Sequence, residues 1–390
     1  MIPNYSERSK AIEPFRVMAL LARAKELQAQ GKDVIHLQIG EPDFSTAAPI
    51  VAAGQAALAA GHTRYTATKG LLPLREAISG FYAQRYGITI GPERILITPG
   101  GSGALLLVSS LLVDPGKHWL LADPGYPCNR HFLRLVEGDS QLIPVGPQER
   151  YQLTPALIEQ YWNQNSVGAL VASPANPTGT LLAREELAGL SGALRRHGGH
   201  LVVDEIYHGL TYGVEAASIL EVDDEAFVLN SFSKYFGMTG WRLGWLVAPV
   251  AAVPELEKLA QNLYISPPSM AQHAALACFE TQTLAILEER RAEFARRRDY
   301  LLSALRTLGF AIHVEPQGAF YLYADISAFG GDSNAFCQFM LETEYVAITP
   351  GIDFGRHQAD QHVRFAYTQD LPRLEQAVAR IAHGLQYWKP

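Results

Sequence analysis

Cysteine is scarce in these 390 residues, and the three that occur, Cys128, Cys278 and Cys337, lie far apart. Their number and spacing exclude a disulfide framework and a cysteine metal site, and they suit a reducing compartment. Positive charge is not in excess either: 32 lysines and arginines face 39 aspartates and glutamates, a formal net charge of −7. A nucleic-acid partner is therefore disfavoured on electrostatic grounds, and the chain leaves no room for an appended helix-turn-helix domain. Long apolar runs are missing, with nothing near the roughly 18 uninterrupted residues of a membrane span, and the opening Met-Ile-Pro-Asn-Tyr-Ser-Glu-Arg-Ser-Lys has no signal-peptide core. The expectation is a soluble, cytoplasmic protein without internal repeats or low-complexity linkers. Its length exceeds the size at which one core stops growing, so two domains are expected.

What is present centres on Ser231 to Gly244, Ser-Phe-Ser-Lys-Tyr-Phe-Gly-Met-Thr-Gly-Trp-Arg-Leu-Gly. The apolar run Ala226 to Leu229 reads as a strand, and Gly237 and Gly240 deny the following segment a stable helix, so Lys234 sits at a strand exit. A lysine held there beside small Ser231 and Ser233, with Arg242 as a second cation nearby, is suited to Schiff-base chemistry, which needs an amine that loses its proton near neutral pH. Arg242 could also fork onto a phosphate.

Other strand ends carry further candidates. Val34 to Ile39 alternates as a strand and runs into Gly40-Glu41-Pro42-Asp43-Phe44, where Gly40 is either a plain turn residue or a point of close backbone approach to a ligand. Ile95 to Thr98 is followed by Pro99-Gly100-Gly101-Ser102-Gly103 opening an apolar helix, and free N–H groups at such a terminus favour an anion. Trp119 to Ala122 ends near Tyr126, a turn tyrosine or the cover of a planar ring. Ala169 to Ser173 precedes Asn176-Pro177-Thr178-Gly179, and Val202 to Tyr207 reads as a strand carrying Asp204. An acid there is costly unless paired, so it is either a cap or the partner of a buried cation. Arg364 lies on the apolar run Val363 to Tyr367, either snorkelling to the surface or facing an anion. Strand and helix alternate from residue 95 to 248, which implies a mostly parallel sheet with these candidates gathered beyond its carboxyl edge.

These motifs, in this order and spacing from about residue 30 onward, resemble those of class I and II aminotransferases, pyridoxal-phosphate enzymes of fold type I like aspartate aminotransferase. The resemblance implies an α/β fold: a large domain with a mostly parallel mixed sheet flanked by helices, and a smaller α+β domain. We place residues 1–44 as a segment joining the small domain, 45–280 as the large cofactor-binding domain and 281–390 as the small domain, with one helical stretch expected from Met270 to about Leu308. The resemblance further implies Lys234 as the Schiff-base lysine and Asp204 on the pyridine nitrogen. Asn176 and Tyr207 would bond the phenolic oxygen, and Tyr126 would stack on the ring. Gly101, Ser102, Ser231, Arg242 and the Tyr65 of a second subunit would hold the phosphate of pyridoxal 5′-phosphate. Gly40, Asn176 and Arg364 would meet the substrate, with Arg364 on its α-carboxylate. A homodimer with shared sites follows from the role of Tyr65.

A lyase or decarboxylase could use the same cofactor residues. Aspartate-specific members of the family place a basic residue at one of two positions, and here these carry Gln261 and Ser102. A neutral amino donor, aliphatic or aromatic, is therefore expected rather than aspartate, with a 2-oxo acid as acceptor. No metal is expected.

Overall fold

The protein is described by a computed structural model over residues 5–14 and 16–389. The described residues form twelve strands, β1 (Ile35–His36), β2 (Ile95–Thr98), β3 (His118–Asp123), β4 (Asp139–Pro144), β5 (Ser166–Ala172), β6 (His200–Asp204), β7 (Phe227–Ser231), β8 (Gly244–Val247), β9 (Tyr321–Asp325), β10 (Val346–Ala347), β11 (Thr349–Pro350) and β12 (His362–Ala366). Seven form the main sheet, in the order β2-β8-β7-β6-β5-β3-β4. Every pairing from β4 across to β7 is parallel, whereas β8 runs against both its neighbours, β7 and β2. Six strands thus share one direction, and the carboxyl ends of β2, β3, β5, β6 and β7 lie along one edge.

Burial on both faces explains why these strands read as unbroken apolar runs. Successive side chains point to opposite faces, so Ile95 and Ile97 of β2 join one core while Leu96 joins another; Leu201 and Val203 of β6 are divided in the same way from Val202. Each fully buried Val, Leu or Ile contributes about 1.5–3 kcal/mol. A second, antiparallel sheet of order β11-β12-β9 packs with the helices Thr281–Thr307 and Ser333–Thr343.

Four expectations are corrected in their extent. The strand predicted over 34–39 pairs only at Ile35 and His36, with Val346 and Ala347 of β10; the hydrogen bond from Leu37 N to the Ala347 carbonyl (2.9 Å) continues the contact, and beyond it the Gln38 carbonyl turns to Arg364. The strand predicted to reach Tyr207 ends at Asp204 because the chain turns there, Oδ1 of Asp204 accepting from Ile206 N at 3.0 Å. The expected helix from Met270 to Leu308 is three pieces, Ser269–Ala275, a 3₁₀ turn Leu276–Phe279 and Thr281–Thr307, broken where Glu280 is extended. The residues Gly318 to Tyr323, Gly-Ala-Phe-Tyr-Leu-Tyr, also read as a strand, but the strand lies at Tyr321–Asp325, after Ala319, whose φ is +59°. No helix among the described residues is long and apolar enough to cross a membrane.

Candidate active site

A cavity of about 250 Å³ opens at the carboxyl edge of the main sheet. It is lined by Gly40, Gly101, Ser102, Tyr126, Asn176, Asp204, Tyr207, Ser231, Lys234, Arg242 and Arg364. Eleven of the twelve site residues expected from sequence therefore meet in one place. Tyr65 is the exception: it is 78% exposed on the single chain and lies outside the cavity.

One side of the cavity is shaped to receive an anion. The helix Gly100–Leu112 begins after Pro99 with no side chain capping it, so its first N–H groups remain open. The turn is fixed by Thr98 Oγ1, which donates to the Gly100 carbonyl at 2.8 Å. Gly100 has φ +72°, and a Cβ on it would lie 2.6 Å from Arg242 Nη2, so glycine is what lets the guanidinium close over the turn. Arg242 itself is held left-handed at φ +54°, a conformation costing about 1 kcal/mol, with Nη1 donating to the Thr239 carbonyl at 2.9 Å. Ser231 and Ser233 complete this side, their hydroxyls 2.9 Å apart.

Lys234 follows β7 by three residues, and its Nζ donates to the Gly40 carbonyl at 2.6 Å. Burial pushes the amine down to about 8; Glu41 and Asp204 oppose the shift, and Arg364 and Arg242 assist it. Desolvation therefore outweighs the neighbouring cation on which the sequence reading relied, and Arg364 weighs more than Arg242. Gly40 has no room for a side chain, since a Cβ would meet Tyr321 Oη at 2.2 Å. Asp204 ends β6 with one backbone N–H on its carboxylate, and burial raises it to about 6, against the hydrogen bond from Ile206 and the charge of Lys234. Among the described residues no cation forms an ion pair with it, and Lys234 acts on it only through its charge.

Arg364, on β12, is 3% exposed, so it is no snorkelling side chain. Its Nη1 donates to Asn176 Oδ1 (2.9 Å) and its Nη2 to the Gln38 carbonyl (2.7 Å), while Nε is buried without a partner. The guanidinium lies 4.1 Å from the Tyr321 ring centroid and 4.7 Å from that of Phe354. Sequence reasoning missed Tyr321, whose hydroxyl is 2.8 Å from that of Tyr207. The antiparallel pairing of β9 with β12, which places Tyr321 opposite Ala366, brings it to the site, and no local motif announces that pairing.

The sequence pattern of the family described as aminotransferase class I and II matches residues 32–381. The chain belongs to that family. This aminotransferase is similar to the valine–pyruvate aminotransferase of Mycobacterium tuberculosis, 38% identical over 376 residues, covering 96% of this chain and 97% of the relative. Its fold is similar to the crystal structure of an aminotransferase from Mycobacterium tuberculosis, with a TM-score of 0.95, 37% identity and coverage of 99% and 100% of the two chains. It is likewise similar to an aspartate aminotransferase from Thermus thermophilus with maleate, with a TM-score of 0.93, 33% identity and coverage of 98% and 100%. The aminotransferase thus has the expected fold type, and its reaction is amino transfer between an amino acid and a 2-oxo acid. Enzymes of this class and fold use pyridoxal 5′-phosphate. The cavity suits that group: an open helix terminus and an arginine for the phosphate, a buried acid lacking a cation for the pyridine nitrogen, a lysine with a depressed amine for the aldehyde, and aromatic Tyr126 on the lining.

Proposed function

We propose that this aminotransferase takes its amino group from a neutral amino acid, aliphatic or aromatic, through Lys234, Asp204 and Arg364. The observation that carries the reading is the set of basic side chains lining the cavity among the described residues: Lys234, Arg242 and Arg364. The phosphate takes Arg242, the α-carboxylate takes Arg364 and the aldehyde takes Lys234, which leaves no cation for a second substrate carboxylate. Ser102 lines the cavity where some aspartate-specific relatives carry lysine, and Gln261 stands at the other position. The name of the valine–pyruvate relative supports the same choice.

When bound, pyridoxal phosphate supplies an aldehyde that accepts the amino group and a ring that accepts electrons. The protein must place and move the proton. Lys234, with its amine pushed down to about 8, is partly neutral at working pH, so Nζ would take the proton from the substrate α-carbon and deliver it to the carbon of the aldehyde that the cofactor supplies. Asp204 keeps the pyridine nitrogen protonated. Asn176 and Tyr207 donate to the phenolic oxygen, Tyr207 being held in place by Tyr321, and Tyr126 covers the ring. Gly101, Ser102, Ser231 and Arg242 bind the phosphate. Arg364 turns its unpartnered Nε and its Nη groups to the α-carboxylate, and Gly40 lets the substrate approach the backbone.

Titrating the yellow protein with single amino acids and following the loss of its visible absorbance tests the substrate. Valine, alanine or an aromatic amino acid exceeds aspartate in kcat/KM by at least about tenfold, the scale of one buried charge pair. Aspartate ranking first overturns the proposal.

The homodimer belongs to the same proposal. Tyr65 is exposed on the single chain, as are Leu58, Leu263, Ile265 and Met270; Ser269 Oγ donates to the Arg64 carbonyl at 2.6 Å, which joins the segments carrying Tyr65 and Met270. Such a patch fits a second copy. Mixing two inactive variants, Tyr65→Ala and Lys234→Ala, yields heterodimers in which one site collects both lesions and the other neither, so activity reappears. Full activity in a sedimenting monomer contradicts this. We also propose a cytoplasmic location and a division of the chain near residues 44 and 280.

A further inference from the structure

The residues from Gly40 to Thr46 make contacts that binding of substrate and cofactor does not explain. Both ends touch the segment that carries Lys234: the Gly40 carbonyl accepts from Lys234 Nζ, while Thr46 Oγ1 donates to the Gly237 carbonyl (2.8 Å) and accepts from Trp241 Nε1 (3.0 Å). The middle is held from the opposite side. Asp43 Oδ1 accepts from Arg297 Nη1 at 2.8 Å. Phe44 meets Phe294 edge-on at 5.5 Å and receives the guanidinium groups of Arg290 and Arg297 on its ring, 5.1 and 4.9 Å from the centroid. Arg290, Phe294 and Arg297 fall on one face of the helix Thr281–Thr307 by their spacing of four and three. Arg297 is 2% exposed, and its charge is met by Asp43 and by Glu293 Oε1 at 3.0 Å. Burying a guanidinium is costly unless it is well paired, so this one needs a reason.

We propose that Arg297 is a positioning residue for Lys234: through Asp43 and Phe44 it holds the Gly40 carbonyl against the amine and keeps water from it. The proposal rests on the reading of Lys234 as the reacting amine. The groups facing that amine are Glu41 and Asp204, which favour its charged form, Arg364 and Arg242, which oppose it, and the rings of Tyr207 and Phe320 at 5.8 and 5.7 Å. None of these groups is itself replaced in the Arg297 and Asp43 variants, and only Glu41 rides on the Gly40–Thr46 segment that they hold. A change in the titration of Lys234 then reports its hydration and position.

The test uses the full chain freed of cofactor and the loaded enzyme, each as wild type, Asp43→Asn, Arg297→Met and the double variant. The pH dependence of Lys234 acetylation by acetic anhydride is read by peptide mass spectrometry. Because burial is the main cause of the depressed amine, admitting water raises the labelling midpoint, by about one pH unit, in both single variants. In the loaded enzyme kcat falls about tenfold while KM for the amino donor changes little, as a misplaced reacting group requires. The double variant is no worse than the worse single one, since both act through one contact. An unchanged midpoint in folded Asp43→Asn, or additive losses in the double variant, overturns the proposal. Should Arg297→Met fail to fold, Asp43→Asn decides alone, its side chain being 28% exposed at the rim. Borohydride reduction of the loaded wild type separates the two readings. A label on another lysine removes Lys234 as the reacting amine but leaves the Asp43→Asn shift to stand, whereas a label on Lys234 without that shift removes only the role of Arg297.

Discussion

Lys234→Ala loses amino transfer by about four orders of magnitude, the upper range for a positioned acid–base group, and borohydride no longer fixes the cofactor to the chain. No other lysine lines the cavity among the described residues, so nothing replaces the amine. The same substitution makes the cofactor-free protein more stable at neutral pH. The folded state lowers the amine from 10.5 to about 8, so below pH 8 holding the ammonium in the fold costs free energy that the unfolded chain does not bear. That cost disappears as pH rises from about 8 to 10.5. Allowing for the partial exposure of the side chain and the lost bond to Gly40, the gain at pH 7 is about 2 kcal/mol, and denaturant midpoints of wild type and variant converge above pH 10. A variant that retains turnover, or whose stability gap is flat with pH, refutes the placement of the amine.

Asp204→Ala is expected to cost nearly as much activity. A carboxylate and a pyridinium about 4 Å apart at an effective dielectric near 20 attract by roughly 4 kcal/mol, equivalent to about three orders of magnitude in rate if the whole interaction is lost at the transition state. The carboxyl, raised to about 6 by burial, becomes ionised more readily once a cation lies against it, so cofactor binding and the charge of Asp204 reinforce each other. Turnover measured at saturating cofactor separates this electrostatic loss from weak binding. Near-normal turnover excludes the role, and partial recovery in Asp204→Glu supports it.

The gathering of these residues at the strand ends was legible because each of them sits in a local pattern, an apolar run closing on glycine, proline or a single polar group. Ile95 to Thr98 before the glycine turn, Asp204 after three buried residues and Lys234 just past β7 are of this kind, as is Arg364 within an apolar strand. What escaped the sequence depends on pairing between distant segments. The reversal of β8 leaves no trace in the residues Gly244 to Val247, and Tyr321 reaches Tyr207 only because β9 lies beside β12. The balance of influences on Lys234 was misjudged for the same reason: sequence shows that Arg242 is near along the chain, but not how far water is excluded or that Arg364 approaches from 130 residues away in the chain. Segment ends at Leu37, Asp204 and Glu280 are set by turns and partners that no periodicity announces.

The contacts of residues 35 to 38 bear on how the polypeptide emerges from the ribosome. The carbonyl of Gln38 accepts from Thr349, 311 residues later, and from Arg364, 326 residues later, while Ile35 pairs with Val346. At translation rates of about 5–20 residues per second, the partners of this segment arrive roughly 15–60 s after it. During that interval Val34, Ile35 and Leu37, all buried in the finished fold, stand uncovered on the nascent chain. Their apolar surface has nothing of its own fold to pack against until the strands from Val346 onward are made. Residues 35 to 38, made long before their partners, are thus among the last parts of this fold to be locked, and a chain stalled before Val346 leaves them open.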